Sequence, residues 1–315
     1  MARLSRRAVL AAALVAGLGC AAEANAQDKT VRIGIQKYGK LILLKARGTL
    51  EKKLDSIGYK VTWTEFPAGP QLLEAVNVGA IDFGNTGEAP PIFAQAAGAP
   101  IVYVAHEPPA PKGEAILVPK DSPIKSVADL KGKKVAFNKG SNVHFFLVKA
   151  LKKANVAYSD ITPTFLTPAD ARAAFEKGAV DAWAIWDPFL AAAEAATGAR
   201  AITTGENLVA NHQFYLGSRS FVTGNAKAVQ VLLEELRDID RWVKDTPKEA
   251  AAQLSTSTGI PAPVVEVALA RQSYGITPLS DDVVKAQQEI ADTFKALGLL
   301  PKAITVADAV AKVGS

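Results

Sequence analysis

Three short stretches combine glycine with small polar residues in a way suited to holding an anion: Gln36-Lys37-Tyr38-Gly39, Gly84-Asn85-Thr86-Gly87 and Lys139-Gly140-Ser141-Asn142. Each follows an apolar, strand-like run and precedes a helical pattern. The first amides of such a helix lack intrahelical partners and carry partial positive charge, and a glycine lets the backbone come close to a ligand. The hydroxyls of Thr86 and Ser141 and the amides of Gln36 and Asn142 would add neutral donors, although Thr86 and Ser141 taken singly also fit plain N-caps. A sulfonate or sulfate has no proton at pH 7 and needs donors only, whereas monohydrogen phosphate also wants an acceptor. Glu88 is the one carboxylate at these turns. It could accept that proton, hold an ammonium on the ligand, or simply occupy the first turn of a helix, where an acidic residue is favoured.

An apolar wall has candidates too. Ala182-Trp183-Ala184-Ile185-Trp186-Asp187-Pro188-Phe189 puts two tryptophans three apart beside a chain breaker. Trp186 is expected to face the ligand and Trp183 the core, with the opposite assignment left open by the spacing. Asp187 reads as an N-cap before a first-turn proline, so a structural role stands beside a ligand-facing one. His144 falls in the first turn of the helix after Ser141 and so near the same place. His106 and His212 lie in unrelated contexts. No His/Asp/Glu spacing suits a metal and no Ser-His-Asp arrangement comes with a nucleophile elbow, so no metal, cofactor or catalytic residue is expected.

The elements that must position these residues are signalled by an internal echo. Gly79-Ala80-Ile81-Asp82 recurs 99 positions later as Gly178-Ala179-Val180-Asp181, and Ile33-Gly34-Ile35-Gln36-Lys37 recurs 102 positions later as Val135-Ala136-Phe137-Asn138-Lys139. The tetrapeptide alone also fits a helix stop followed by a strand start. Two echoes in one order point to two similar lobes with a cleft between them, since a solenoid would need more copies.

Strand-like segments at 30–35, 60–65, 81–83 and 101–105 alternate with helical ones at 42–56 and 89–97, the signature of α/β structure with mostly parallel sheets. The proline-rich run 107–113 reads as a crossing into a second lobe with strands at 114–118, 134–137, 164–166 and 182–185. Its helices are expected at 143–154 and 168–177. After Ile202 the chain should return, with a strand at 214–217. C-terminal helices then pack on lobe one, one of them carrying the stripe Val229, Leu232, Leu233, Leu236 and Ile239. The expected division is a leader at 1–26, lobe one at 27–109, lobe two at 110–210, and a return to lobe one with C-terminal helices at 211–315.

The leader has a basic start (Arg3, Arg6, Arg7), an apolar run too short to span a bilayer, and a small-residue cleavage pattern at Ala24-Asn25-Ala26. It predicts export to the periplasm with a mature start at Gln27, by the general or the twin-arginine route. Cleavage removes Arg3, Arg6, Arg7 and Glu23 and takes the formal charge from +5 to +3. It also removes Cys20, the only cysteine, so disulfides play no part. A mild charge without a Lys/Arg block gives no sign of nucleic-acid binding.

With these residues in view, the runs Phe66-Pro67-Ala68-Gly69-Pro70-Gln71, Asn77-Val78-Gly79 through Gly87, Pro90-Pro91-Ile92-Phe93-Ala94-Gln95-Ala96-Ala97-Gly98-Ala99, and Leu166-Thr167-Pro168-Ala169-Asp170-Ala171-Arg172-Ala173-Ala174-Phe175 through Pro188 closely resemble the aliphatic sulfonate-binding proteins. These are periplasmic receptors of ABC importers. The resemblance implies a type II periplasmic-binding-protein fold that closes on an alkanesulfonate and docks, as a monomer, on a membrane permease for sulfur acquisition. It places ligand contacts at Gln36, at Thr86 and Gly87, at Gly140 and Ser141 with their neighbours Asn142 and His144, and at Trp186 and Asp187, with Tyr38 beside the tail. Asn85 and Glu88 stand where relatives carry a small residue and an Asp, and Ser141-Asn142-Val143-His144 replaces a serine-rich stretch. Taurine, a sulfate ester, an aromatic sulfonate and nitrate remain as alternative ligands, and a sensor subunit as an alternative role. A pyrimidine-precursor synthase of the same outline is disfavoured by the missing Cys-rich motif.

Overall fold

The structure, a computed structural model, describes residues 29–311; the leader and the cleavage point before Gln27 lie outside the described residues. The alternation of the first strands builds one five-stranded sheet from β1 (Lys29–Ile35), β2 (Tyr59–Glu65), β3 (Phe83–Gly87), β4 (Ile101–His106) and β10 (Gln213–Ser218), in the order β2-β1-β3-β10-β4. A second sheet takes β5 (Glu114–Val118), β6 (Lys134–Phe137), β7 (Thr162–Phe165), β8 (Ala182–Trp186) and β9 (Arg200–Thr204), in the order β7-β6-β8-β5-β9. The two orders are equivalent. In each, four strands share a direction and one runs against its two neighbours: β10 against β3 and β4, β5 against β8 and β9. The reversed strands are those that arrive directly from a crossing between lobes, so the sheets are mixed for a topological reason.

The repeated tetrapeptide proves to be a strand clamp. In lobe one Asp82 accepts the backbone N–H of Arg32 at 2.9 Å and returns its own N–H to Arg32 O at 2.7 Å. In lobe two Asp181 does the same with Lys134, at 2.7 and 2.9 Å. Each Asp thus fixes the register of the strand that carries the other echo.

Helices cover the sheets: α1 (Lys40–Arg47), α2 (Thr49–Asp55), α3 (Gly69–Asn77) and α4 (Pro90–Ala96) in lobe one, and α5 (Asn142–Lys153), α6 (Pro168–Glu176) and α7 (Phe189–Thr197) in lobe two. The single helix expected over 42–56 is two, because Gly48 turns left-handed at φ 64° and its N–H caps Leu44 O. The segment expected as a turn at 84–87 is the buried end of β3, held between β1 and β10. A glycine is needed there because a Cβ on Gly84 would lie 2.7 Å from the Leu72 side chain.

After β10 come α8 (Arg219–Gly224), α9 (Ala226–Asp245), α10 (Pro247–Thr258), α11 (Ala262–Ala270) and α12 (Asp281–Ala296). Val229, Leu232, Leu233, Leu236 and Ile239 of α9 are buried in one cluster with Leu41, Leu43 and Leu44 of α1. Phe294 and Ile290 of α12 join a second cluster with Ile92, Tyr103 and, from lobe two, Phe145 and Val148. The C-terminal helices are therefore not confined to lobe one: α12 shares a core with α5, and α11 packs on α7.

The two crossings, residues 107–113 and 205–212, run side by side and are bonded to each other. Ala110 N donates to Ala210 O at 3.0 Å, Asn211 Nδ2 to Ala110 O at 2.9 Å, and Gly205 N to Pro111 O at 3.0 Å.

Candidate functional site

The strand ends of both sheets converge on a cleft that holds two neighbouring cavities. The smaller, about 30 Å³, is lined by Gln36, Gly69, Gly87 and Pro90 from lobe one, by Ser141, Asn142 and Trp186 from lobe two, and by Gln213. The larger, about 70 Å³, takes Tyr38, Asn85, Glu107, Asp187, Phe189, Arg271 and Gln272 among its walls. Gln36, Trp186 and Gln213 belong to both and stand between them. The lobes meet here: a Cβ on Gly87 would lie 2.9 Å from the Asn142 side chain of the opposite lobe.

The smaller cavity sits at the N-terminus of α5, whose first amides have no partner within the helix. The side chains around it are mostly engaged. Gln36 Nε2 donates to Asn85 O at 2.9 Å, which leaves one amide hydrogen. Ser141 Oγ donates to Asn138 O at 2.7 Å. Asn142 Nδ2 donates to Glu114 Oε2 at 2.8 Å and to Asn211 Oδ1 at 3.1 Å, which ties α5 to β5 and to the second crossing. Of the remaining expected residues, Thr86 is buried, with its hydroxyl donating to Gly87 O at 3.0 Å and its side chain against Gly69, outside both cavities. Gly140 N donates to His144 Nδ1 at 3.2 Å. His144 is buried among Phe93, Phe137 and Phe294, and its Nε2 meets Tyr158 Oη at 3.1 Å. Burial, with Lys139 second, pushes its pKa down to about 3, so it is a neutral part of the interlobe core and lines neither cavity.

Behind the smaller cavity lie two fully buried carboxylates, Glu88 from lobe one and Glu114 from lobe two. Burial raises Glu88 to about 7, against the lowering effect of the backbone N–H groups of His212 and Asn211. Burial likewise pushes Glu114 well up, and the charge of Glu88 adds to it. The two charges repel across a buried region, so both do not ionise readily.

The larger cavity is chemically different. Trp186 and Phe189 give it an aromatic side, whereas Trp183 is core, packed on Phe175. Its polar wall is a set of ion pairs. Lys40 Nζ is buried and reaches Glu107 Oε2 at 2.5 Å and Asp240 Oδ1 at 3.4 Å. Tyr215 Oη donates to the other oxygen of Glu107 at 2.6 Å. Arg271, just past α11, reaches across to Asp187 Oδ1 at 3.4 Å and to Glu194 Oε2 at 2.7 Å. Burial raises Asp187 to about 6 despite Arg271. Burial, then the charge of Asp187, also holds the Tyr38 hydroxyl well above its usual range.

The structure thus brings Gln36, Gly87, Ser141, Asn142 and Trp186 to one cavity and Tyr38 and Asp187 to the next, and sets Thr86, Gly140 and His144 behind them. Sequence reasoning missed Arg271, Gln272, Gln213 and Glu107. Gln213 and Glu107 flank crossings and could have been sought there; Arg271 leaves an all-round apolar helix and carries no local signal. Among the described residues no group of three or more His, Cys, Asp or Glu is placed to hold a metal.

Comparison with known proteins agrees with this architecture. Residues 58–250 match the NMT1/THI5-like family model. The alkanesulfonate-binding protein of Xanthomonas axonopodis pv. citri, solved with MOPS bound, is 46% identical, covers 91% of this chain and 99% of its own, and superposes with a TM-score of 0.87. The periplasmic aliphatic sulphonate-binding protein of Escherichia coli is also 46% identical, over 91% of this chain and 93% of its own, with a TM-score of 0.82. A Bacillus subtilis protein named for aliphatic sulfonate binding is 35% identical over 308 residues, covering 96% of this chain and 93% of its own. The chain belongs to the NMT1/THI5-like family and, within it, to the aliphatic sulfonate-binding proteins.

Proposed function

We propose that this protein is the periplasmic receptor of an ABC importer and captures an aliphatic sulfonate between its lobes for delivery to a membrane permease. The observation that carries the reading is the smaller cavity: neutral donors from both lobes, capped by the N-terminus of a twelve-residue helix, in a chain 46% identical to an alkanesulfonate-binding protein. A sulfonate there takes the first amides of α5 and the free amide hydrogen of Gln36. Because Thr86 and Ser141 spend their hydroxyl hydrogens on backbone carbonyls, their part is to shape the turns rather than to donate. Burial of Glu114, with the charge of Glu88 beside it, favours its neutral form and so reduces like charge near the anion. The tail passes Trp186 into the larger cavity. Capture closes the lobes about the paired crossings, a population shift driven by contacts that need both lobes. The protein works as an exported monomer and performs no chemistry on its ligand.

A thermal-shift screen tests this. Alkanesulfonates at about a hundred times their Kd should stabilise the purified protein by about 2.7 kcal/mol, roughly 5 °C in Tm. Sulfate, nitrate and phosphate should do less. A shift given by phosphate or nitrate alone would sink the sulfonate reading.

A further inference from the structure

The larger cavity holds buried polar atoms whose hydrogen bonds are unmet. Tyr38 Oη, Asn85 Oδ1 and Asp187 Oδ2 are buried atoms without a hydrogen-bond partner among the described residues. All three residues line this cavity, Tyr38 and Asn85 from lobe one and Asp187 from lobe two. Asn85 and Asp187 are each only 4% exposed. Buried polar atoms are normally paired; here Asn85 Oδ1 and Asp187 Oδ2 are acceptors, and the Tyr38 hydroxyl can accept as well as donate. The charge balance agrees. Glu107 and Asp240 share the cation Lys40, and Asp187 and Glu194 share Arg271, so four carboxylates face these two cations; the third cation of the lining, Lys37, sits at the half-exposed edge 3.9 Å from Glu65. Lys40 and Arg271 are each engaged by two carboxylates and Lys37 by Glu65, so each cation near the cavity already has an acidic partner.

We propose that the preferred ligand is a zwitterionic sulfonate whose far end is an ammonium, received by Tyr38, Asn85 and Asp187. The three N–H donors of a primary ammonium match three acceptors. The methylene linker lies along Trp186 and Phe189. An ammonium between Tyr38 and Asp187 would also bridge the lobes, so the tail contributes to closure as the head does. A bare alkyl tail leaves all three acceptors dry, and a carboxylate tail meets Asp187 and Glu107. The proposal rests on the sulfonate reading of the smaller cavity and adds to it the chemistry of the other end.

Calorimetric titration of the purified protein with three sulfonates of similar length tests it: 3-aminopropane-1-sulfonate, butane-1-sulfonate and 3-sulfopropanoate. The ammonium compound should bind about tenfold or more tighter than the alkane, with the dianion weakest. The ratio of ammonium to alkane affinity should collapse toward one in Asp187→Asn and fall severalfold in Tyr38→Phe. Butanesulfonate or sulfopropanoate binding as well as the ammonium compound overturns the proposal while leaving the sulfonate reading intact. No binding by any of the three overturns both. Should Asp187→Asn fail to fold, the wild-type ranking and Tyr38→Phe decide.

Discussion

The two cavities of the cleft lie side by side and are made of different material. The smaller is framed by main chain and neutral side chains whose hydrogen bonds are mostly spent inside the protein, on Asn85 O, Asn138 O, Glu114 and Asn211. The larger is framed by ion pairs and by polar atoms that have no partner among the described residues. A site whose groups are committed to one another is rigid and selects by shape and by helix-end amides. One with unmet acceptors selects by what the ligand brings. Under the proposed function, the difference gives recognition of the common headgroup to the first and discrimination among tails to the second.

The largest effect should come from just behind the wall of the larger cavity, where Lys40 supports Glu107. Lys40 is 1% exposed and neutralises Glu107 and Asp240, which join the first crossing to α9. Lys40→Met keeps the length of the side chain and leaves two buried carboxylates uncompensated. Breaking a buried pair in this way costs about 3–5 kcal/mol. Urea unfolding should register that loss. A variant as stable as wild type would mean that these charges are far better solvated than their burial implies.

How much of each cavity was legible in the sequence follows the same division. The smaller one lies at strand ends marked by the internal echo, so Gln36, Gly87, Ser141 and Asn142 could be found from position alone. Thr86 reads as part of a turn because of the glycines at 84 and 87, whereas these lie in β3, where Gly84 makes room for the Leu72 side chain and Gly87 for Asn142 of the opposite lobe. The wall of the larger cavity is assembled from distant segments. Lys40 meets Glu107 67 positions away, and Arg271 meets Asp187 84 positions away. No local period or cap encodes such a meeting; only the packing of α11 on α7 and of α9 on α1 creates it.

The next effect belongs to the smaller cavity. A carboxyl whose folded pKa is raised, as Glu88 is from 4.5 to about 7, gives its full stabilisation below about pH 4.5 and loses it as pH rises to about 7. At about 1.4 kcal/mol per pH unit the loss is roughly 3 kcal/mol. His144, depressed from 6.5 to about 3, works in the opposite sense and destabilises the fold as pH falls below 6.5. The difference between wild type and Glu88→Gln reports the first contribution together with its coupling to Glu114, which acts in the same sense. Chemical denaturation across pH 4.5 to 8 should show the variant gaining on wild type as pH rises. Parallel curves would remove Glu88 from the titration.

Closure itself can be probed at the contact between lobes. Gly87 has room for no Cβ while Asn142 is docked 2.9 Å away, but opening the cleft relieves the clash. Gly87→Ala should therefore weaken sulfonate binding by roughly tenfold to a hundredfold, in line with overpacking costs of about 1–3 kcal/mol. Titration calorimetry measures it, and all sulfonates should suffer alike, whatever their tails. A loss confined to one tail type would mean that the head and tail ends are not separable as drawn.

The smallest effect is expected at Arg271, which is part exposed and so worth only about 1 kcal/mol as an ion pair. Its position makes it informative all the same. It holds Asp187 and Glu194 of lobe two to the end of α11, so it acts as a clasp between lobe two and the C-terminal helices. Arg271→Gln removes the clasp and, with it, the cation that lowers the Asp187 pKa. A ligand with an alkyl tail can replace neither, and its affinity should fall about fivefold. A ligand with an ammonium tail supplies a new cation to Asp187 and should lose less. Parallel titrations with butane-1-sulfonate and 3-aminopropane-1-sulfonate compare the two, and an equal loss for both would show that Arg271 clamps the lobes without touching what the tail cavity selects.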